Sequence, residues 1–167
     1  MRYNFNYMVL LALYMLIVVT GCQKTQQIDQ TIQMQVSHSV ELGKKLSALV
    51  KDKRHEEAVI ELRNSLNGLY EKECEKSFTE AGVTKKDWNL LLNAAKSSEF
   101  EAGKNYGTKL RANRLQDADV VEYIKGTLRN APDFKKLAFS AGFVSVFKDH
   151  KRGRDHLDTL WIWAMSP

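Results

Sequence analysis

Apolar residues return at intervals of three and four along most of this chain, and that spacing constrains its fold more than any other feature. Ile28, Ile32, Val36, Val40, Gly43, Leu46 and Val50 advance in this way, which places them on one face of a long first helix. The charged run Lys51-Asp52-Lys53-Arg54-His55 interrupts the pattern, after which Val59, Leu62, Leu66, Leu69, Tyr70 and Cys74 form a second stripe. No stretch alternates apolar and polar residues for long enough to compete as a strand, and the chain has only two prolines. The expected class is therefore all-α, a single compact bundle of about six helices packed orthogonally or up and down.

Turn and cap chemistry divides the remaining sequence. Gly82 marks a turn, Thr84 stands where a helix would be capped, and Asp87 lies three positions later as in a capping box. Trp88, Leu91, Leu92 and Ala95 give the next stripe, and Ser97-Ser98 allows a break. Residues 99–115 then carry Phe100, Ala102, Tyr106, Leu110 and Leu115 at helical spacing. Gly103 and Gly107 weaken that helix, each by about 1 kcal/mol relative to alanine. Asp119 and Glu122 form a second cap signature. Val121, Ile124 and Leu128 supply the face of a helix that stops near Asn130-Ala131-Pro132. Pro132 suits the first helical position of the following element. No internal repeat is visible.

The C-terminal third departs from simple amphipathic patterning. Leu137 to Phe147 is apolar all round except for Ser140 and Ser145, and a helix without a polar face is expected at the centre of a bundle, with a partner-binding surface as the alternative. Leu157 to Met165 is again apolar on both sides and brings Trp161 and Trp163 together, either to complete the core or to anchor an interface with a partner or with lipid head groups. Between these segments Lys148 to His156 is the densest charge cluster. It reads as a loop around Gly153, with Asp155 capping the last helix. Lys148, Lys151, Arg152 and Arg154 could hold phosphate groups or an acidic protein patch; the alternative is a solvated turn. With Trp161 and Trp163 they are the partner-binding candidates.

Nothing in the sequence announces catalysis or a cofactor. There is no His-Glu-x-x-His, no Gly-x-Ser-x-Gly and no phosphate-cradling glycine loop. His150 and His156 each follow an aspartate, but a spacing of six fits no helical ligand pair, so no metal is expected. Glu56, Glu57, Glu71 and Glu73 lie on lysine-rich faces and read as surface ion pairs. Cys74 falls on an apolar stripe and reads as a small buried side chain.

The N-terminus is of a different character. Tyr7 to Val19 is uncharged, follows Arg2, and ends in Val19-Thr20-Gly21-Cys22, the layout of a secretory signal. This run resembles the lipobox of bacterial lipoprotein precursors, a likeness confined to the first twenty-two residues. The resemblance implies a signal peptide over residues 1–21, cleavage before Cys22, acylation of that cysteine, and a short polar tether over residues 22–27 ahead of a helical domain over 28–167. Gln23 in place of an aspartate implies the outer membrane, facing the periplasm. An uncleaved helix over Tyr3–Gly21, or ordinary secretion with cleavage near Gly21, are the competing readings.

Charge adds a mild constraint. With 25 Lys+Arg against 20 Asp+Glu the chain carries +5, which suits anionic lipid or an acidic protein. An exported location disfavours nucleic acid. The expected partners are the bilayer, through acylated Cys22, and a protein. The expected function is an envelope binding module of immunity, exclusion or inhibitor type. A structural part of an envelope complex is the alternative, and an envelope hydrolase with a spatially assembled site comes last. Helical exported immunity proteins against type VI amidase effectors are similar in size and class, although their usual cysteine pair is missing here.

Overall fold

The computed structural model describes residues 29–166, which contain eight α-helices and no strand. The expected signal peptide over residues 1–21, the expected tether over 22–27 and Cys22 lie outside the described residues. The chain divides into two units, residues 1–38 and 39–167. In the described part of the first, residues 29–38 are helical and largely exposed, with Ile32 and Met34 among the outward side chains. The same helix, α1, continues to residue 51, and its buried stripe in the second unit comprises Leu42, Leu46 and Leu49. Among the described residues no helix is long and apolar enough to cross a membrane.

The bundle has eight α-helices among the described residues where about six were expected, in part because one apolar stripe is cut in two. Val59 and Leu62 lie on α2 (His55–Ser65) and Cys74 on α3 (Glu71–Glu80), while Leu66, Leu69 and Tyr70 lie in the link between them, where Gly68 takes φ of 84°. That left-handed conformation is one that glycine adopts without steric cost. Helix α3 lies against α1 at a point where a side chain on Gly43 would collide with the Cys74 carbonyl, its Cβ only 2.4 Å away. Around this crossing Ser77 donates to the Val40 carbonyl at 2.8 Å, and the Tyr70 amide donates to Ser39 Oγ at 3.1 Å.

Helix α4 (Lys85–Lys96) starts as its sequence requires. Thr84 Oγ1 accepts from the Asp87 amide at 3.2 Å while the Asp87 carboxylate accepts from the Thr84 amide. Its buried face, Trp88, Leu91, Ala94 and Ala95, sets Trp88 against Phe78 with ring centroids 5.6 Å apart. Helix α5 (Glu99–Arg111) is intact despite Gly103 and Gly107. Both glycines are buried against α7 (Asp133–Ser145), and Gly142 on α7 is buried against Phe100 in return. The two backbones come closer than any β-carbon would permit, which offsets the weak helix propensity of glycine.

Helix α6 (Asp117–Tyr123) begins two residues before Asp119, which is therefore not its cap. The Asp119 carboxylate instead reaches back to accept from the Gln116 amide at 2.8 Å. The helix runs on through a π turn, Ile124–Leu128, closed by the Arg129 amide on the Ile124 carbonyl. Pro132 immediately precedes α7.

As its all-round apolarity requires, α7 is central. Ala138 and Ala141 join the core formed by α1 to α4, whereas Phe139 and Phe143 join a second cluster with Val120, Ile124, Leu128, Leu157, Leu160 and Ala164. One helix thus supplies two cores from its opposite sides. Full burial of each large side chain contributes about 1.5–3 kcal/mol.

Candidate functional site

The region expected to be a loop is mostly helix. Helix α8 runs from His150 to Met165, and its cap is Asp149, not Asp155. The Asp149 carboxylate accepts from the amides of Lys151 at 3.0 Å and Arg152 at 3.2 Å, meeting two of the donors that a helix start leaves unpaired. Gly153, which resembles a turn residue in sequence, is buried within α8 and seats the Phe147 ring. A Cβ there would lie 2.9 Å from two ring carbons.

Two clefts flank this helix start. The larger, about 740 Å³, has Phe147 and Thr159 in its walls and Arg111, Lys148 and Arg152 as its cations, with Asp149, Asp155 and His156 completing the lining. Arg111 is fixed there from the last turn of α5, donating to the Val146 carbonyl and placing its guanidinium 5.8 Å from the Phe147 ring centroid. His156 has Nε2 3.0 Å from Asp117 Oδ1, joining α8 to α6. No carboxylate among the described residues lies within ion-pair distance of Arg111, Lys148 or Arg152.

The smaller cleft, about 610 Å³, is lined on its cationic side by Arg54, Lys148, Lys151 and Arg154. Its centre is Glu57. Arg54 donates to both oxygens of this carboxylate, Arg154 Nη2 donates to Oε1 at 3.1 Å, and His150 Nδ1 lies 3.8 Å from Oε2. The hydrogen bonds from Arg54, working against desolvation, hold the Glu57 carboxyl below its ordinary pKa. Arg154 also places Nε 3.2 Å from Glu56 Oε2, although that N–H is not aimed at an acceptor. Arg154 therefore ties α8 to α2, and Glu56 and Glu57 are ion-paired as expected, but with arginines instead of lysines and with most of each carboxylate side chain covered.

The two tryptophans separate. Trp161 is half-buried against the second core cluster, whereas Trp163 is 50% exposed between Ile162 at 66% and Met165 at 42%. Of the six sequence candidates, Lys148 and Arg152 meet in the larger cleft, Lys148 and Lys151 in the smaller, Arg154 is paired, and Trp163 stands at the far end of α8. Arg111 and Phe147 escaped the sequence reading. Arg111 lies 35 positions before Val146, the carbonyl it binds, and a basic residue ending a helix is too common to single out. Cys74 is fully buried, and desolvation pushes its thiol up to about 12. Among the described residues no group of three His, Cys, Asp or Glu side chains could hold a metal ion.

The fold and site define an all-α bundle with a cationic edge and an apolar terminal turn. No protein-family model, curated protein or solved structure matches the chain.

Proposed function

We propose that this chain is a bacterial envelope lipoprotein, acylated at Cys22 and held at the outer membrane facing the periplasm, whose helical domain binds a protein partner of immunity, exclusion or inhibitor type. The tether rests on the run Val19-Thr20-Gly21-Cys22 behind an uncharged segment. The observation that carries the binding role is the last turn of α8, where Ile162, Trp163 and Met165 expose large apolar area together. Such residues anchor interfaces when a partner offers an apolar groove that fits a helix. The domain acts by presenting this turn, and no bond-making step is part of the reading.

Two measurements test the parts separately. Mass spectrometry of the N-terminal peptide should find acylated Cys22, and Cys22→Ser should release the protein from membranes; an unmodified thiol in the native host would remove the tether. A photo-crosslinking amino acid at position 163 should trap one discrete protein adduct in cells, whereas the same group at exposed position 80 should trap none. Failure at position 163 alone would remove the docking role and leave the tether standing.

A further inference from the structure

The larger cleft at the start of α8 has a chemistry of its own. Its three cations approach from two directions, Arg111 from the end of α5 and Lys148 and Arg152 from the turn into α8. Two carboxylates share the lining. That of Asp149 is turned onto the amides of Lys151 and Arg152, and that of Asp155 has no cationic partner within ion-pair distance. Arg111, Lys148 and Arg152 against Asp149 and Asp155 leave one net positive charge among these side chains, the complement of a singly charged anion.

The donors further narrow the ligand. A free inorganic anion is best held by several backbone amides arranged as a nest. Here the first amides of α8 are occupied by Asp149, so the cleft offers side-chain charges around the apolar Phe147 ring instead. Arginine is suited to phosphate oxygens by its paired donors, and lysine acts as a point charge. Such a site fits a phosphodiester with carbon attached on both sides. Register keeps the site together: Arg152, His156 and Thr159 follow at four- and three-residue steps, so they line one face of the first half of α8. A cationic cleft with an apolar wall suits the head-group layer of an anionic bilayer.

We propose that the cleft formed by Arg111, Phe147, Lys148 and Arg152 receives the phosphodiester of an anionic phospholipid head group. This goes beyond partner docking and does not depend on it. Arg152 and Met165 are thirteen positions apart, about 20 Å along a helix, so a head group and a partner occupy different ends of α8. The site would turn this edge of the domain toward an anionic leaflet without inserting a helix.

The test is native mass spectrometry of the full chain released from a nonionic detergent, mixed with phosphatidylglycerol or with phosphatidylcholine at equal concentration. The anionic lipid should give about tenfold more adduct than the zwitterionic one. Lys148→Gln combined with Arg152→Gln should reduce it to the zwitterionic level. Both positions are exposed, so the helical circular dichroism should not change. Arg111→Gln should act in the same direction, and Trp163→Ala should leave the adduct intact. Equal adducts from the two lipids, or an anionic adduct indifferent to the double variant, would overturn the proposal. Displacement of the lipid by inorganic phosphate at equal concentration would reassign the cleft to free anions. Loss of the position-163 protein adduct in the double variant, with no lipid preference, would reassign it to an acidic protein.

Discussion

Replacing Gly103 by alanine should destabilise the domain, although alanine is the better helix former. Helix propensity alone favours the substitution by about 1 kcal/mol. The structure opposes it, since a Cβ at 103 would lie 2.0 Å from the Phe139 carbonyl oxygen and 2.9 Å from the Phe143 amide nitrogen. Ordinary carbon–oxygen contacts are about 3.3 Å or longer, so α5 and α7 would have to separate by roughly an ångström along that line. Both atoms are backbone and cannot rotate away. Phe139 and Phe143 belong to the second core cluster and Phe100, next to the crossing, belongs to the first, so separation loosens both cores. Overpacking of this type costs about 1–3 kcal/mol or more; against backbone atoms that cannot move aside the upper end applies, which leaves a net loss of about 2 kcal/mol after the propensity gain of about 1 kcal/mol. Gly126 is the internal control. It is exposed in the π turn with nothing within 4 Å of a built Cβ, and Gly126→Ala should be neutral or stabilising by up to about 1 kcal/mol. Urea denaturation followed by helical circular dichroism reads both, and a Gly103→Ala midpoint at or above that of Gly126→Ala would refute the argument from backbone approach.

Other substitutions probe separate parts of the structure. Trp161→Ala should lower stability by about 1–3 kcal/mol because half of a large side chain leaves the second core, whereas Trp163→Ala should stay within about 0.5 kcal/mol; equal losses in urea melts would contradict the division. Glu57 has a folded pKa below its unfolded value, so its contribution is complete above the unfolded carboxyl range and disappears as pH falls through the folded value. Glu57→Gln should therefore destabilise at neutral pH and flatten the acid limb of a stability-against-pH curve, and an unchanged limb would count against the network around Glu57. The Cys74 thiol, buried and raised to about 12, should resist a thiol reagent at pH 8 until denaturant is added. Rapid labelling of native protein would mean that α3 opens.

Much of the bundle follows from local chemistry and could be read without coordinates. The Thr84 and Asp87 pair forms the reciprocal cap that its spacing implies, because a capping box needs only residues within one turn. The apolar run from Leu137 to Phe147 lies at the centre because a helix with no polar face has no side to give to water. Cys74 is buried for the same kind of reason. Misreadings arose where one residue type serves two physical purposes. Gly153 looks like a turn and is a seat for Phe147, while Asp155 looks like a cap and lies within a helix already capped by Asp149. The apolar stripe from Val59 to Cys74 also runs on across Gly68, although α2 has already ended at Ser65 and the left-handed Gly68 lies in the link to α3.

What the amino-acid order determined by itself is the all-helical class, the α4 cap and its apolar face, and the resemblance of the first twenty-two residues to an export signal, since each depends on neighbours within a few positions; the α1 stripe was only partly legible, as Ile32 is exposed and Leu42 and Leu49 are buried. Tertiary structure alone decided that Gly103 packs on the Phe139 carbonyl and Gly142 on the Phe100 carbonyl, that Arg154 pairs with Glu56 and Glu57, that Trp161 is half-buried while Trp163 is not, and that Arg111 joins Lys148 and Arg152 around Phe147. These depend on how helices distant in sequence cross, and a helical period fixes which face is apolar without fixing which neighbour covers it.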